Sequence, residues 1–191
     1  NSGISEINTK QRENLSQMVD FTSLYDKFVE FKFKVYCKEK NRLNLDTEGG
    51  KYLFSESYKS CMKKNKLLAS DSLLDESKLK IIWTKKELQD LDGYKNEIKE
   101  KGDPFGIANR IVDGKPQFIH RTFAEYFVAM LFIENFKRKK EESQKYVEYF
   151  LKHMINDENS VICDFIDSAL NSKSNYIEDN EKYGNVVKNM N

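Results

Sequence analysis

The chain has 191 residues, 39% hydrophobic, 33% charged and 13% aromatic, which is enough apolar material for a packed core and excludes wholesale disorder. Its 32 Lys and Arg against 31 Asp and Glu leave a net charge of +1, without the positive surplus that nucleic-acid binding uses to displace phosphate counterions. No apolar run reaches the ~18–20 residues of a membrane span, and the polar stretch 1–14 resembles neither a signal nor a transit peptide.

The absence of an initiator Met predicts a fragment or a processed chain. Cys37, Cys61 and Cys163 are odd in number and far apart, so they read as three reduced, buried thiols rather than a disulfide framework or a zinc site. A reducing, cytoplasmic setting follows. In that setting Asn14-Leu15-Ser16 is a chance match to a glycosylation acceptor.

In chain order, residues 1–19 are polar, with a short helix expected around Leu15 and Met18. Asp20 to Lys40 reads as an amphipathic helix, capped near Ser23 and Asp26. Its face is Phe21, Leu24, Phe28, Phe31 and Val35, and Tyr25, Val29 and Tyr36 widen it. Asn41 to Gly50 has a loop composition. A second helix is expected over Lys51 to Ser70, with Phe54, Tyr58, Cys61 or Met62, and Leu68 on one face and with Lys59, Lys63, Lys64 and Lys66 solvated. A polar break follows over Ser70 to Ser77. Leu79 to Trp83 is a short apolar run, a strand or a buried turn by its length. Thr84 and Glu87 form a capping box opening a third helix, whose face is Leu88, Leu91, Tyr94 and Ile98 and which ends at Gly102-Asp103-Pro104.

After Gly106 the period changes. Ile107 to Val112 and Gln117 to His120 alternate around Asp113-Gly114, a pair that tolerates the positive φ of a tight hairpin turn. Pro116 lacks a ladder donor and starts the second strand on an edge. A hairpin set among helices reads as a wing. Thr122 and Glu125 then form a second capping box pattern. The helix they open, 122–138, is apolar on most sides, from Phe123, Tyr126 and Phe127 round to Phe132 and Ile133, as a core helix is. Lys137 to Lys140 would set positive charge at its negative end. Glu125 and Asp113 are explained by a cap and a turn, so a catalytic carboxylate pair is not expected. Two helices, Gln144–Ile155 and Ser160–Asn171, are expected as linkers, with a disordered tail over 172–191. His153 falls on the first of them, at or near the surface.

The run Phe118-Ile-His120-Arg-Thr122-Phe123-Ala-Glu125-Tyr126-Phe127-Val-Ala129 resembles the signature that closes the winged-helix region of NACHT-type signalling NTPases, the nucleotide-switched proteins of the NOD-like receptor kind. The wider resemblance runs from about Phe21 to Phe136 and is closest after Gly106. It implies a module downstream of an ATPase core, packed against bound nucleotide in the resting state. In that family a winged-helix histidine approaches the ADP phosphates, and His120 is the matching position. Phe118, Thr122, Phe123, Glu125, Tyr126 and Phe127 match its structural positions. On the residues alone, His120 reads as a hydrogen-bonded core histidine at the end of a buried strand. The chain has no Gly-x-x-x-x-Gly-Lys-Ser/Thr loop, no acidic Mg²⁺-binding run and no 33-residue repeat.

The expected fold is therefore mainly α: a helical subdomain (20–102), a winged-helix-like unit (103–139) with one β hairpin (107–120), then linker helices (140–171). The expected role is that of a non-catalytic regulatory segment. The resemblance implies an upstream NACHT core in cis and a repeat domain downstream. It also implies self-association in the active state, and ADP or ATP held by the longer protein rather than by this chain. The other classes open to the sequence are a winged-helix nucleic-acid module, disfavoured by the balanced charge, and a helical protein-interaction adaptor.

Overall fold

The computed structural model describes residues 21–155 and 159–174. These residues form seven helices and one two-stranded antiparallel sheet, a mainly helical fold with one hairpin, as the periodicity predicts. The helix expected around Leu15 and Met18, and residues 175–191 of the expected tail, lie outside the described residues.

Helix α1 (Phe21–Glu39) starts where expected, with Ser23 inside it rather than at its cap. It is turned the other way round: Thr22, Val29, Phe33 and Cys37 are buried, while Phe21, Leu24, Phe28 and Phe31 are exposed. The helix carries two overlapping apolar stripes, and the one spaced by four, with Tyr25 and Tyr36 beside it, packs inward.

Helix α2 (Glu48–Leu73) is longer than predicted at both ends. The Thr47 hydroxyl accepts from the Gly50 amide at 3.0 Å. A Cβ on Gly50 would fall 1.7 Å from the Asn44 carbonyl oxygen, so only glycine fits this entry. The expected break at Ser70 does not occur, because the Ser70 hydroxyl donates back to the Lys66 carbonyl at 2.8 Å and Asp71 is held by lysines from elsewhere. Phe54, Tyr58, Cys61, Met62 and Leu68 do turn toward the body. Lys59 and Lys63 are solvated as expected. Lys64 and Lys66 are not: both are buried, paired with Glu97 at 2.9 Å and with Glu134, respectively.

Leu79 to Trp83 is neither strand nor plain turn. It belongs to a short helix, α3 (Glu76–Ile82), whose start is capped by the Asp75 carboxylate accepting from the Ser77 amide at 2.9 Å. Leu79 and Ile82 are fully buried. The Thr84–Glu87 capping box forms in full and opens α4 (Lys85–Lys101), which buries Leu91 and Ile98 and stops at Gly102 with φ 73°.

Strands β1 (Ala108–Val112) and β2 (Lys115–Phe118) pair antiparallel, Val112 opposite Lys115 and Ile111 opposite Pro116. Asp113 and Gly114 both have positive φ, 49° and 77°, the type I′ geometry that matches the twist of the strands. The Asp103 carboxylate accepts from the Ile107 and Ala108 amides at 2.7 and 3.0 Å, fixing the hairpin's entry. At the other end the Lys115 ammonium donates to the Asp71 carbonyl at 2.7 Å and lies 3.5 Å from its carboxylate, which Lys95 also holds at 2.9 Å. The hairpin is thus pinned to the end of α2.

Helix α5 (Arg121–Phe136) runs through the middle, touched by α1, α2, β2, α6 and α7. Its expected cap is corrected: His120, not Thr122, is the N-cap, and Thr122 lies within the helix. It ends at Phe136, so Lys137, Arg138 and Lys139 follow the helix rather than fill its last turn. Helices α6 (Lys140–His153) and α7 (Ser160–Ser174) were expected as linkers and instead supply core. Tyr146, Tyr149, Phe150, Met154, Ile162 and Phe165 join one cluster with Leu67, Leu68, Tyr126, Phe127 and Phe132. Ser172 to Ser174, expected in the tail, continue α7. His153 is half-buried, its ring 5.0 Å from that of Tyr149.

All three cysteines are free, Cys37 and Cys61 buried and Cys163 half-buried. Burial pushes the Cys61 thiol up to about 12 and raises those of Cys37 and Cys163. Among the described residues no group of His, Cys, Asp and Glu could hold a metal ion, and no helix is long and apolar enough to cross a membrane.

Candidate functional site

β2 closes at Phe118, and two residues later the chain must turn into α5. His120 makes that turn with an extended backbone, φ −146° and ψ 141°, which sets its side chain back over the first turn of the helix. It is not the buried end of a strand, because the side chain is exposed. Its Nδ1 accepts from the Thr122 amide at 3.3 Å and lies 2.7 Å from the Thr122 hydroxyl.

The direction of these bonds decides the ring's state. The Tyr25 hydroxyl donates to Thr122 Oγ1 at 2.8 Å. Thr122 then has its own proton to give, and Nδ1 is the acceptor beside it. A ring nitrogen that accepts from the Thr122 amide carries no proton, which leaves the ring N–H to Nε2. Among the described residues Nε2 makes no hydrogen bond. One donor of an exposed ring is left for solvent or a ligand, while the other side of the ring is tied through Thr122 to α1.

The rest of the motif forms the support. Phe123 is half-buried, 5.0 Å from the Tyr25 ring and 5.3 Å from that of Phe28. Tyr126 and Phe127 are fully buried. Tyr126 donates its hydroxyl to the Asp26 carboxylate, and burial together with that charge raises the phenol well above its ordinary value. Phe118 meets Phe127 at 6.1 Å. Glu125 does not reach back to a cap as expected. It is buried and accepts from Arg121 Nε at 2.9 Å, and Arg121 itself is largely exposed.

The structure therefore brings all seven motif residues together at the hairpin–helix junction and joins them to α1. Tyr25, Asp26 and Phe165 complete the cluster, with Phe165 edge-on to Tyr25 at 5.0 Å and to Tyr126 at 5.7 Å. Sequence reading did not assign these three to the site. Tyr25 lies 97 residues before Thr122, and a Tyr-Asp pair inside a helix carries no signal of its own.

No family model, no curated protein and no solved structure matches the chain.

Proposed function

We propose that this chain is a non-catalytic regulatory segment of a NACHT-type nucleotide-dependent signalling switch, acting in the cytoplasm and in cis on an upstream ATPase core. In the closed state its hairpin–helix junction faces ADP bound by that core. Exchange for ATP releases the junction and exposes a surface for self-association, a two-state equilibrium biased by the nucleotide's different contacts in each state.

The observation that supports this best is the state of His120. An exposed imidazole with Nδ1 occupied internally and Nε2 left as donor is an oriented N–H group suited to a phosphate oxygen. Orientation matters because a donor held in place loses less freedom on meeting its ligand. The Tyr25–Thr122–His120 chain gives it that hold, and it links the contact mechanically to α1. The nucleic-acid reading is not favoured, since the helix after the hairpin is buried from Ala124 to Ala129 and cannot enter a groove.

The test is His120→Ala in the full-length protein. A hydrogen bond to a charged group contributes about 1.5–3 kcal/mol, so release of a fluorescent ADP analogue is expected to quicken by roughly ten-fold or more, with more oligomer at rest by light scattering. An unchanged release rate together with an unchanged oligomeric state would overturn the proposal.

A further inference from the structure

Helix α1 has two apolar stripes, and the core buries one. The other, Phe21, Leu24, Phe28 and Phe31, touches the body only along its inner edge, Phe21 on Phe165 at 5.4 Å and Phe28 on Phe123 at 5.3 Å, and is 49%, 52%, 41% and 64% exposed. Half-buried Val35 extends it. Its alternating steps of three and four are those of heptad a and d positions, and it runs roughly 20 Å along the helix. A continuous row of solvated Phe and Leu is the kind of surface that marks an interaction site.

The outer border of the row is basic, and the inner border carries Lys32 and, one heptad on, Glu39. At 100° per residue, Lys27, Lys34 and Lys38 follow its outer side. Lys32 lies on the inner side, its ammonium 3.5 Å from the Phe105 carbonyl. Glu30 is used by Lys34 at 2.6 Å, and Asp26 accepts from Tyr126. Among the described residues Lys27, Lys32 and Lys38 make no ion pair, so three ammonium groups flank the apolar row without a counter-charge.

We propose that this face docks an acidic amphipathic helix of a partner protein. The partner would lay a row of Leu or Ile along Leu24, Phe28 and Phe31 and set Glu or Asp against Lys27, Lys32 and Lys38. Charge argues against a second copy of this chain. A parallel pair would oppose Lys27 and Lys32, and an antiparallel pair would oppose Lys27 and Lys34. The one offset, Lys34 against Glu39 in the parallel pair, competes with the existing Glu30 bridge. Two heptads are also too short to hold a dimer against such repulsion. An anionic membrane surface would meet the whole outer half of α1, including the Glu30 and Glu39 carboxylates it repels. A helix engages the row and its borders alone. The face would serve this role whether or not the chain belongs to a nucleotide switch.

The test uses the full 191-residue chain and two fluorescein-labelled peptides of three heptads, both with Leu at a and d, one with Glu and one with Lys at e and g. Anisotropy titrations at low salt are expected to show the Glu peptide binding at least ten-fold more tightly, with the advantage shrinking at high salt. The double variant K27E/K38E should reverse the preference. Phe31→Asp, at the most solvated position of the row, should abolish binding with an unchanged thermal melt. Equal affinity for the two peptides, or binding of neither, overturns the proposal. So does a chain that sediments as a dimer until Phe31→Asp dissolves it, which would assign the face to self-association. Binding to phosphatidylserine vesicles that Phe31→Asp removes would assign it to lipid.

Discussion

At the scale of single residues, the Tyr phenols of the core connect burial to pH. Burial, with the Asp26 carboxylate beside it, raises Tyr126; burial also pushes Tyr146 and Tyr149 up to about 12 each. In the unfolded chain these phenols titrate near 10. Between the two values the folded protein keeps protons that the unfolded chain has lost, so the folded state is penalised progressively as pH rises. Their contribution is fully present below pH ~10 and is lost as pH climbs toward about 12. Urea midpoints measured across that interval should fall steadily, and Tyr149→Phe should make the fall shallower. A midpoint flat from pH 9 to 12 would show that the phenols are not protected. The same residue scale explains what motif reading could reach at the candidate site. Phe118, His120, Thr122, Phe123, Glu125, Tyr126 and Phe127 were legible as a group because they are contiguous. Their roles were not. His120 replaces Thr122 as cap because its backbone is the last extended one before the helix, and Arg121, one residue along, captures the Glu125 carboxylate that a capping box would have used.

At the scale of elements, local chemistry was the better guide. The Thr84–Glu87 box forms as written, each side chain accepting from the other residue's amide. The Asp113-Gly114 turn forms because both of its residues must take positive φ. Gly114 has open space around a would-be Cβ, so the cost of a larger residue there is conformational rather than steric. Gly114→Val should therefore destabilise the protein by about 1–2 kcal/mol, the penalty of a left-handed non-glycine residue, read from the urea midpoint. Gly114→Asn should recover much of that loss. A Val variant as stable as the parent would mean the turn is held by its strands and not by its own residues. Helix α1 shows the limit of local reading. Phe21, Leu24, Phe28 and Phe31 make as regular a stripe as Thr22, Val29, Phe33 and Cys37, and periodicity cannot say which faces in.

At the scale of the whole molecule, the segments separate by composition share one core. Phe132 on α5 stacks with Tyr149 at 6.0 Å and meets Phe150 at 5.5 Å, while Tyr126 on the same helix meets Phe165 of α7. Phe132→Ala should cost about 3–5 kcal/mol and lower the urea transition as a single step seen alike by tyrosine fluorescence and far-ultraviolet dichroism. Two separated transitions would mean that α6 and α7 fold as an independent unit. Buried lysines belong to this scale too. Lys64 and Lys66 look like members of a solvated run, and they are buried only because Glu97 and Glu134 arrive from 33 and 68 residues away.

By itself the amino-acid sequence determined the long helices (though not the short α3), the hairpin and its turn, and the grouping of the motif around His120. Each of these depends on backbone preferences and side-chain bonds within a few residues. Tertiary structure alone decided which stripe of α1 is buried, which lysines are paired inside, and that His120 stands exposed while tied through Thr122 to Tyr25. Those outcomes depend on elements that are distant along the chain and adjacent in space, and their energies exist only once the core has closed.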